Sequence, residues 1–124
     1  MVYVDDEHFQ KYIDDAIATL SPNHIKRLEN VAFLYEYDPT PDQRVRLELL
    51  NNQTLFGLYE GVPLSKRQGV TKLLPDKITL FKNPMCVVAN TEDELKEQIR
   101  HTLWHEIAHY YGLGHDKIHE LEAQ

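Results

Sequence analysis

Cysteine is almost absent from this sequence of 124 residues, and the only one is Cys86. A lone cysteine cannot form a disulfide within the chain, which suits a reducing compartment. The sequence also lacks an apolar run long enough to span a bilayer, and Asp5, Asp6 and Glu7 stand where a secretion signal would carry basic residues. We therefore expect a cytoplasmic protein that has no membrane partner.

Positive charge is also in short supply. Lys and Arg total 13 against 20 for Asp and Glu, so the formal net charge is −7 and the sequence pI is about 5.4. An acidic surface repels nucleic acid and anionic lipid, so no nucleic-acid partner is expected. Internal repeats are lacking too, and 124 residues of which 42% are hydrophobic suffice for one core but not two. We predict a single domain over residues 1–124.

Helices are expected where apolar residues recur three or four apart, and strands where short β-branched or aromatic runs end at turn residues. The segments assigned in this way are a helix over residues 6–20, a strand at Val31–Tyr37, a short helix from Thr40 to about Leu50, strands at Leu55–Glu60 and Ile78–Phe81, a long helix from Thr91 to about Tyr111, and a short C-terminal helix. Together they predict an α+β fold, with a small mixed sheet of at least three strands packed on the long helix.

Two capping boxes mark helix starts within this pattern. Thr40 is followed three residues later by Gln43, and Thr91 by Glu94, so each threonine hydroxyl can accept a hydrogen bond from the first turn of a helix. The second box opens the long helix, which carries the residues with chemical potential.

Residues 105–115 read His-Glu-Ile-Ala-His-Tyr-Tyr-Gly-Leu-Gly-His and match the pattern H-E-x-x-H-x-x-G-x-x-H. His105 and His109 lie one helical turn apart on the same face, where both imidazoles can bind one zinc ion. Glu106 lies about 100° around the helix, from where its carboxylate can activate a water on that zinc without becoming a ligand. Given this composition, the eleven-residue match arises by chance in roughly one shuffled chain in ten thousand.

The predicted third zinc ligand is His115. A straight helix would place it about 9 Å further along the axis, so the chain must turn, and Gly112 is suited to end the helix. Three imidazoles leave the fourth tetrahedral position to water, as in catalytic zinc sites. Asp116 and His119 are alternative ligands, although the motif spacing favours His115, and Asp116 also suits a cap of the C-terminal helix. One Zn²⁺ per chain is expected.

The rest of the long helix agrees with this interpretation. A broad apolar arc opposite the histidines comprises Ile99, Leu103, Trp104, Ile107, Tyr110 and Tyr111. One face is therefore predicted to pack on the core while the other carries His105 and His109. His101 extends the histidine stripe by one turn, where it either orients a ligand or substrate or simply faces solvent.

The sequence resembles the small bacterial zincin-like metallopeptidases. The similarity covers most of the chain after about residue 30, in the blocks Val31–Gln43, Leu55–Leu64, Leu74–Pro84 and Arg100–Leu121. The resemblance implies a minimal zincin-like α/β arrangement with the sheet packed on the active-site helix. It also implies metal ligation by His105 and His109 and catalysis by Glu106, whereas the third ligand in that family is sometimes aspartate.

The longer motif is shared with the metzincin proteases, from which this chain departs. Metzincins have a methionine turn after the motif, but Met1 and Met85 both precede it here. In metzincins a C-terminal subdomain forms much of the substrate pocket. Without that subdomain, a substrate is expected to bind by pairing with an exposed edge strand, and the predicted candidate is Ile78–Phe81. The donor that stabilises the oxyanion is left open among Tyr37, Tyr59, Tyr110, Tyr111 and His119.

The favoured function is a zinc metallopeptidase that hydrolyses peptides or unfolded proteins through a water activated by Glu106. One alternative is a non-catalytic module in which zinc stabilises the fold or mediates contact with another protein. Another is a zinc hydrolase of a non-peptide amide or ester, which would use the same chemistry. The glutamate argues against a purely structural site, because such a site needs no general base.

Overall fold

The computed structural model describes residues 1–20, 28, 30–46, 55–61 and 75–111. Within these ranges the chain forms four helices and three strands. In chain order they are α1 (Asp6–Thr19), β1 (Val31–Glu36), α2 (Pro41–Arg46), β2 (Gly57–Glu60), β3 (Asp76–Phe81), α3 (Lys82–Val88) and α4 (Glu92–Tyr110). The predicted α+β class and three-stranded sheet are confirmed. The predicted C-terminal helix and the break at Gly112 lie outside the described residues.

The sheet is mixed, with strand order β1-β3-β2. β3 pairs in parallel with β1 and antiparallel with β2, so Ile78–Phe81 belongs to the central strand. The prediction that this segment is an exposed edge strand is therefore wrong. Ile78, Leu80 and Phe81 are almost completely buried, because β3 is covered on both faces as well as on both edges. Within the described part of the chain β2 pairs only with β3, which leaves β2 an edge strand beside α4.

Both threonines cap the helices that they were predicted to begin, but only the first capping box is complete. At α2 the exchange is reciprocal: the Thr40 hydroxyl accepts from the Gln43 N–H at 3.1 Å, and the Gln43 side chain accepts from the Thr40 N–H at 2.8 Å. At α4 the Thr91 hydroxyl accepts from the Glu94 N–H at 3.1 Å, but the Glu94 carboxylate accepts from the Asn90 N–H instead. These bonds satisfy N–H groups that a helix start otherwise leaves without a partner.

The sequence prediction missed α3. Pro84 lies in the first turn of this helix, where its missing N–H breaks no helical hydrogen bond. Pro84, Met85 and Cys86 are buried, and the Cys86 carbonyl accepts a hydrogen bond from the Val2 N–H. α3 thus connects the central strand directly to the start of α4.

The core lies between α4, the sheet and α1, and α4 packs against all of these elements. Its members share exposures close to zero and include Phe9, Ile13, Ile78, Leu80, Leu95, Ile99, Leu103 and Ile107. Burial of each such side chain contributes about 1.5–3 kcal/mol. The predicted apolar face of α4 is therefore confirmed, with Trp104 and Tyr111 only half-buried at its margins. None of the helices described is long and apolar enough to cross a membrane.

Candidate metal centre

His105, Glu106 and His109 come together on α4. One potential ligand atom from each of the three lies within 4.8 Å of those of the other two. The His105 and His109 ring centroids are 4.9 Å apart with an interplanar angle of 67°. Both histidines are half-buried, so their rings remain accessible from solvent. The structure therefore brings together three predicted site residues, His105, Glu106 and His109. The alternative third ligands His115, Asp116 and His119 lie outside the described residues.

This donor set fits a zinc ion. Imidazole nitrogen is a common zinc ligand, at a bond length of about 2.0–2.1 Å. Two nitrogens on one tetrahedral zinc lie about 3.3–3.4 Å apart, so ligand atoms already within 4.8 Å of each other need only small ring rotations to reach one ion. Ligation by His105, His109 and His115 remains a prediction, which the geometry of the first two supports.

Glu106 differs from the two histidines in its surroundings. Its side chain is only 7% exposed, and its Oε1 accepts a hydrogen bond from the Tyr59 backbone N–H at 2.9 Å. Burial raises the pKa of Glu106 to about 7, and the Tyr59 N–H opposes that shift because it stabilises the charged carboxylate. A carboxyl group with a pKa near neutrality is suited to exchange protons with substrate and water.

The strand β2 aims this N–H at the helix. The Phe81 N–H donates to the Phe56 carbonyl at 2.9 Å, so these two residues form a hydrogen-bonded pair of the antiparallel ladder. Such pairs alternate with pairs whose N–H and C=O groups point outward. By this alternation the backbone groups of Gly57 and Tyr59 point away from β3, and the Tyr59 N–H meets Glu106 of α4. No sequence signal marks this contact, because it depends on strand register and on a backbone atom.

A cleft of about 390 Å³ adjoins the cluster. It runs between the start of β2 and α4 and is lined by Leu55, Phe56, Gly57, Gln98, His101, Thr102, His105 and Glu106. His101 is exposed, and its ring lies 6.5 Å from that of His105 at an interplanar angle of 27°. His101 thus lines the cleft one helical turn before the first predicted ligand.

Three of the tyrosines considered as oxyanion donors are already engaged elsewhere. The Tyr59 hydroxyl donates to Asp76 Oδ2 at 2.7 Å, and the Tyr37 hydroxyl donates to Asp6 Oδ2 at 2.6 Å. Tyr110 is completely buried, and its ring contacts those of Tyr59 and Tyr111 edge-on. Tyr59 does contribute to the site, but through its backbone N–H rather than its hydroxyl.

Comparison with known families agrees with the geometry of α4. The family model described as zincin-like metallopeptidase matches residues 28–124, which is most of the chain and includes the three strands, α4 and the whole histidine motif. No curated protein matches the chain. The family implies zinc, and the His-Glu-His group provides a place for a metal ion. The chain belongs to the zincin-like metallopeptidase family.

Proposed function

We propose that this protein is a zinc-dependent metallopeptidase in which His105, His109 and His115 hold one zinc ion and Glu106 is the general base. The observation that carries the proposal is the position of Glu106. Its carboxylate is buried within reach of both α4 histidines and is held by β2, the strand that borders the cleft. A purely structural zinc site needs no general base beside its ligands and usually recruits a fourth protein ligand.

In the proposed mechanism the histidines bind zinc and Glu106 transfers protons. A zinc ion held by the three histidines would supply Lewis acidity, which acidifies a water and polarises the scissile carbonyl. Glu106 takes the proton of the attacking water, and we assign this to Oε2 because Oε1 accepts the Tyr59 N–H. Glu106 then returns the proton to the leaving amine, so one side chain acts first as base and then as acid.

The substrate class we propose is an extended peptide or unfolded protein segment that adds to β2. The backbone groups of Gly57 point away from β3 at the edge of the cleft, and peptides commonly bind by pairing with such an edge. Glu106 already occupies the Tyr59 N–H, so Gly57 is the nearest β2 residue whose backbone can pair with substrate. β2 replaces Ile78–Phe81 in this role, because the central strand has no exposed edge.

The test is mass spectrometry of a diverse peptide library incubated with the zinc-loaded protein. A Glu106→Gln variant is the matched control, because it keeps the side-chain volume and an oxygen that accepts the Tyr59 N–H. We expect the wild type to cleave and the variant to hold zinc without cleaving. If both proteins hold one zinc and neither cleaves any peptide, the peptidase proposal fails. A binding role or a non-peptide amide or ester substrate would then take its place.

A further inference from the structure

Gly57 of β2 lies beside Thr102 of α4. A Cβ atom built at this residue would lie 2.5 Å from Thr102 Cγ2, 3.2 Å from Leu80 Cδ2 and 3.3 Å from the Thr79 carbonyl oxygen. Carbon atoms in favourable contact are about 3.5–4.0 Å apart, so no side chain larger than hydrogen fits at Gly57 without movement. Thr102 is 5% exposed, and its hydroxyl accepts a hydrogen bond from Gln98 Nε2 at 3.3 Å, which favours its present rotamer. A glycine within a strand often marks such a close approach.

Backbone conformation does not explain the glycine. Among the described residues, positive φ angles occur only at Asn30 and Gly61. Gly57 therefore has a backbone conformation that alanine can adopt, and the restriction at this position is one of space. The atom nearest to the added Cβ is the methyl group of Thr102, which identifies the other half of the contact.

The Gly57–Thr102 contact is spaced to match the bond between Tyr59 and Glu106. Two strand residues span about 6.6–6.8 Å, and four helix residues span about 6.0 Å. Tyr59 follows Gly57 by two residues, and Glu106 follows Thr102 by four, so both contacts join the same stretch of β2 to the same stretch of α4. We therefore expect a change in strand-to-helix distance at the first contact to alter the second.

We propose that the Gly57–Thr102 contact sets the distance between β2 and α4 and thereby keeps the Tyr59 N–H on Glu106, which makes Gly57 and Thr102 positioning residues of the candidate active site. The importance of this position for catalysis rests on the proposed function. The geometry itself does not, because the bond between Tyr59 and Glu106 can be observed without substrate. An alanine at position 57 requires about 1 Å of separation to restore ordinary carbon contacts. That movement lengthens or misaligns the 2.9 Å bond between the Tyr59 N–H and Glu106 Oε1, and it therefore weakens this bond.

The experiment follows the Tyr59 amide in ¹⁵N–¹H correlation spectra of the full chain, without metal and loaded with zinc. The reference for the broken bond is Glu106→Ala, in which the amide has lost its acceptor. We expect Gly57→Ala to move the Tyr59 resonance toward the position found in that reference. Adding Thr102→Ser to Gly57→Ala should return the resonance to its wild-type position, because serine keeps the hydroxyl and removes the methyl group. Thr102→Val, which keeps the methyl group, is the matched control and should not restore it.

Each result decides the proposal. A Tyr59 resonance that stays at the wild-type position in Gly57→Ala overturns it, as does equal behaviour of the Ser and Val double variants. If Gly57→Ala alone fails to fold, the Gly57→Ala/Thr102→Ser variant should fold with the wild-type amide position, and its failure to do so also overturns the proposal.

A kinetic measurement then connects the contact to turnover. A misplacement of about 1 Å can lower a reaction rate by about 100-fold, so we expect a loss of kcat on that scale in Gly57→Ala with unchanged zinc content. Thr102→Ser should restore kcat in the double variant. An absence of cleavage by the wild type would count against the peptidase proposal alone, because the amide measurement requires no turnover.

Discussion

Asp6 and Glu106 are both carboxylates that join a helix to another part of the chain, but their surroundings shift their pKa values in opposite directions. Asp6 is half-exposed at the start of α1, where it accepts hydrogen bonds from Lys82 Nζ at 2.7 Å and from the Tyr37 hydroxyl. The hydrogen bond from Lys82, followed by that from Tyr37, lowers the pKa of Asp6. Glu106 accepts one backbone N–H in a buried position, and its pKa rises because burial outweighs that bond. Hydrogen-bond partners therefore determine the pKa shift of the exposed Asp6, and desolvation determines that of the buried Glu106.

The opposite pKa shifts distinguish a carboxylate that stabilises the fold from one that is suited to catalysis. A carboxylate paired at the surface stays charged throughout the neutral range and contributes only to local stability. A carboxylate held within the core with one hydrogen bond has been placed where its charge is costly, which is characteristic of active sites. Variants of the two carboxylates and of residues near them test this distinction.

Glu106→Gln should abolish the proposed function while leaving the fold intact. General base catalysis contributes about 10²–10⁴-fold, and we expect at least this loss in peptide hydrolysis. Zinc content by atomic absorption should match the wild type, because the two α4 histidines are unchanged. A variant that retains more than a tenth of wild-type turnover would contradict the role of Glu106 as the base.

Leu103→Ala should cause the largest loss of stability, because Leu103 is completely buried on the face of α4 opposite the histidines. A leucine-to-alanine change in a core costs about 2–5 kcal/mol. His101→Ala is the control on the same helix, since its exposed side chain should alter the free energy of unfolding by less than about 0.5 kcal/mol. Urea denaturation of the two variants would measure this difference, and equal losses would contradict the assignment of the two faces.

Tyr59→Phe separates the hydroxyl of Tyr59 from its backbone. The variant removes the bond to the buried Asp76, and depriving a buried polar group of a hydrogen-bond partner costs about 1–3 kcal/mol. The free energy of unfolding should fall by this amount, measured in urea. The N–H bond to Glu106 remains, so kcat should change by less than about threefold, which is under 1 kcal/mol. A loss of kcat as large as that of Glu106→Gln would instead identify the hydroxyl as a donor to the reacting substrate.

Asp6→Asn should have the smallest effect, because the group is solvent-exposed. The folded-state pKa of Asp6 lies below its ordinary value, so its stabilising contribution is present above about pH 3.9 and is lost as the pH falls through the folded-state pKa. Thermal unfolding of wild type and variant should therefore converge in acid and differ slightly at neutral pH. Added salt should reduce the difference further. A difference that grows in acid would contradict the direction of the shift.

Sequence reasoning succeeded where structure follows from local spacing. The helical repeat brings His105 and His109 onto one face, and Thr40 and Thr91 begin their helices as predicted, because these relations involve residues within one turn of each other. It failed for strand order, since the apolar run Ile78–Phe81 is equally compatible with a central or an edge strand. The hydrogen bond from the Tyr59 N–H to Glu106 joins residues far apart in sequence, and its donor is a backbone atom. No residue type at position 59 therefore predicts it.

The use of a main-chain N–H to hold Glu106 has a consequence for how β2 tolerates change. Any residue except proline supplies the same N–H donor at position 59, so the hydrogen bond to Glu106 does not require a tyrosine side chain. A one-residue insertion or deletion within β2 is different, because it exchanges the groups that face β3 for those that face α4. The hydrogen bond to Glu106 therefore depends on the length of β2 and not on the side chain at position 59, and aligned homologues should show a β2 strand of constant length.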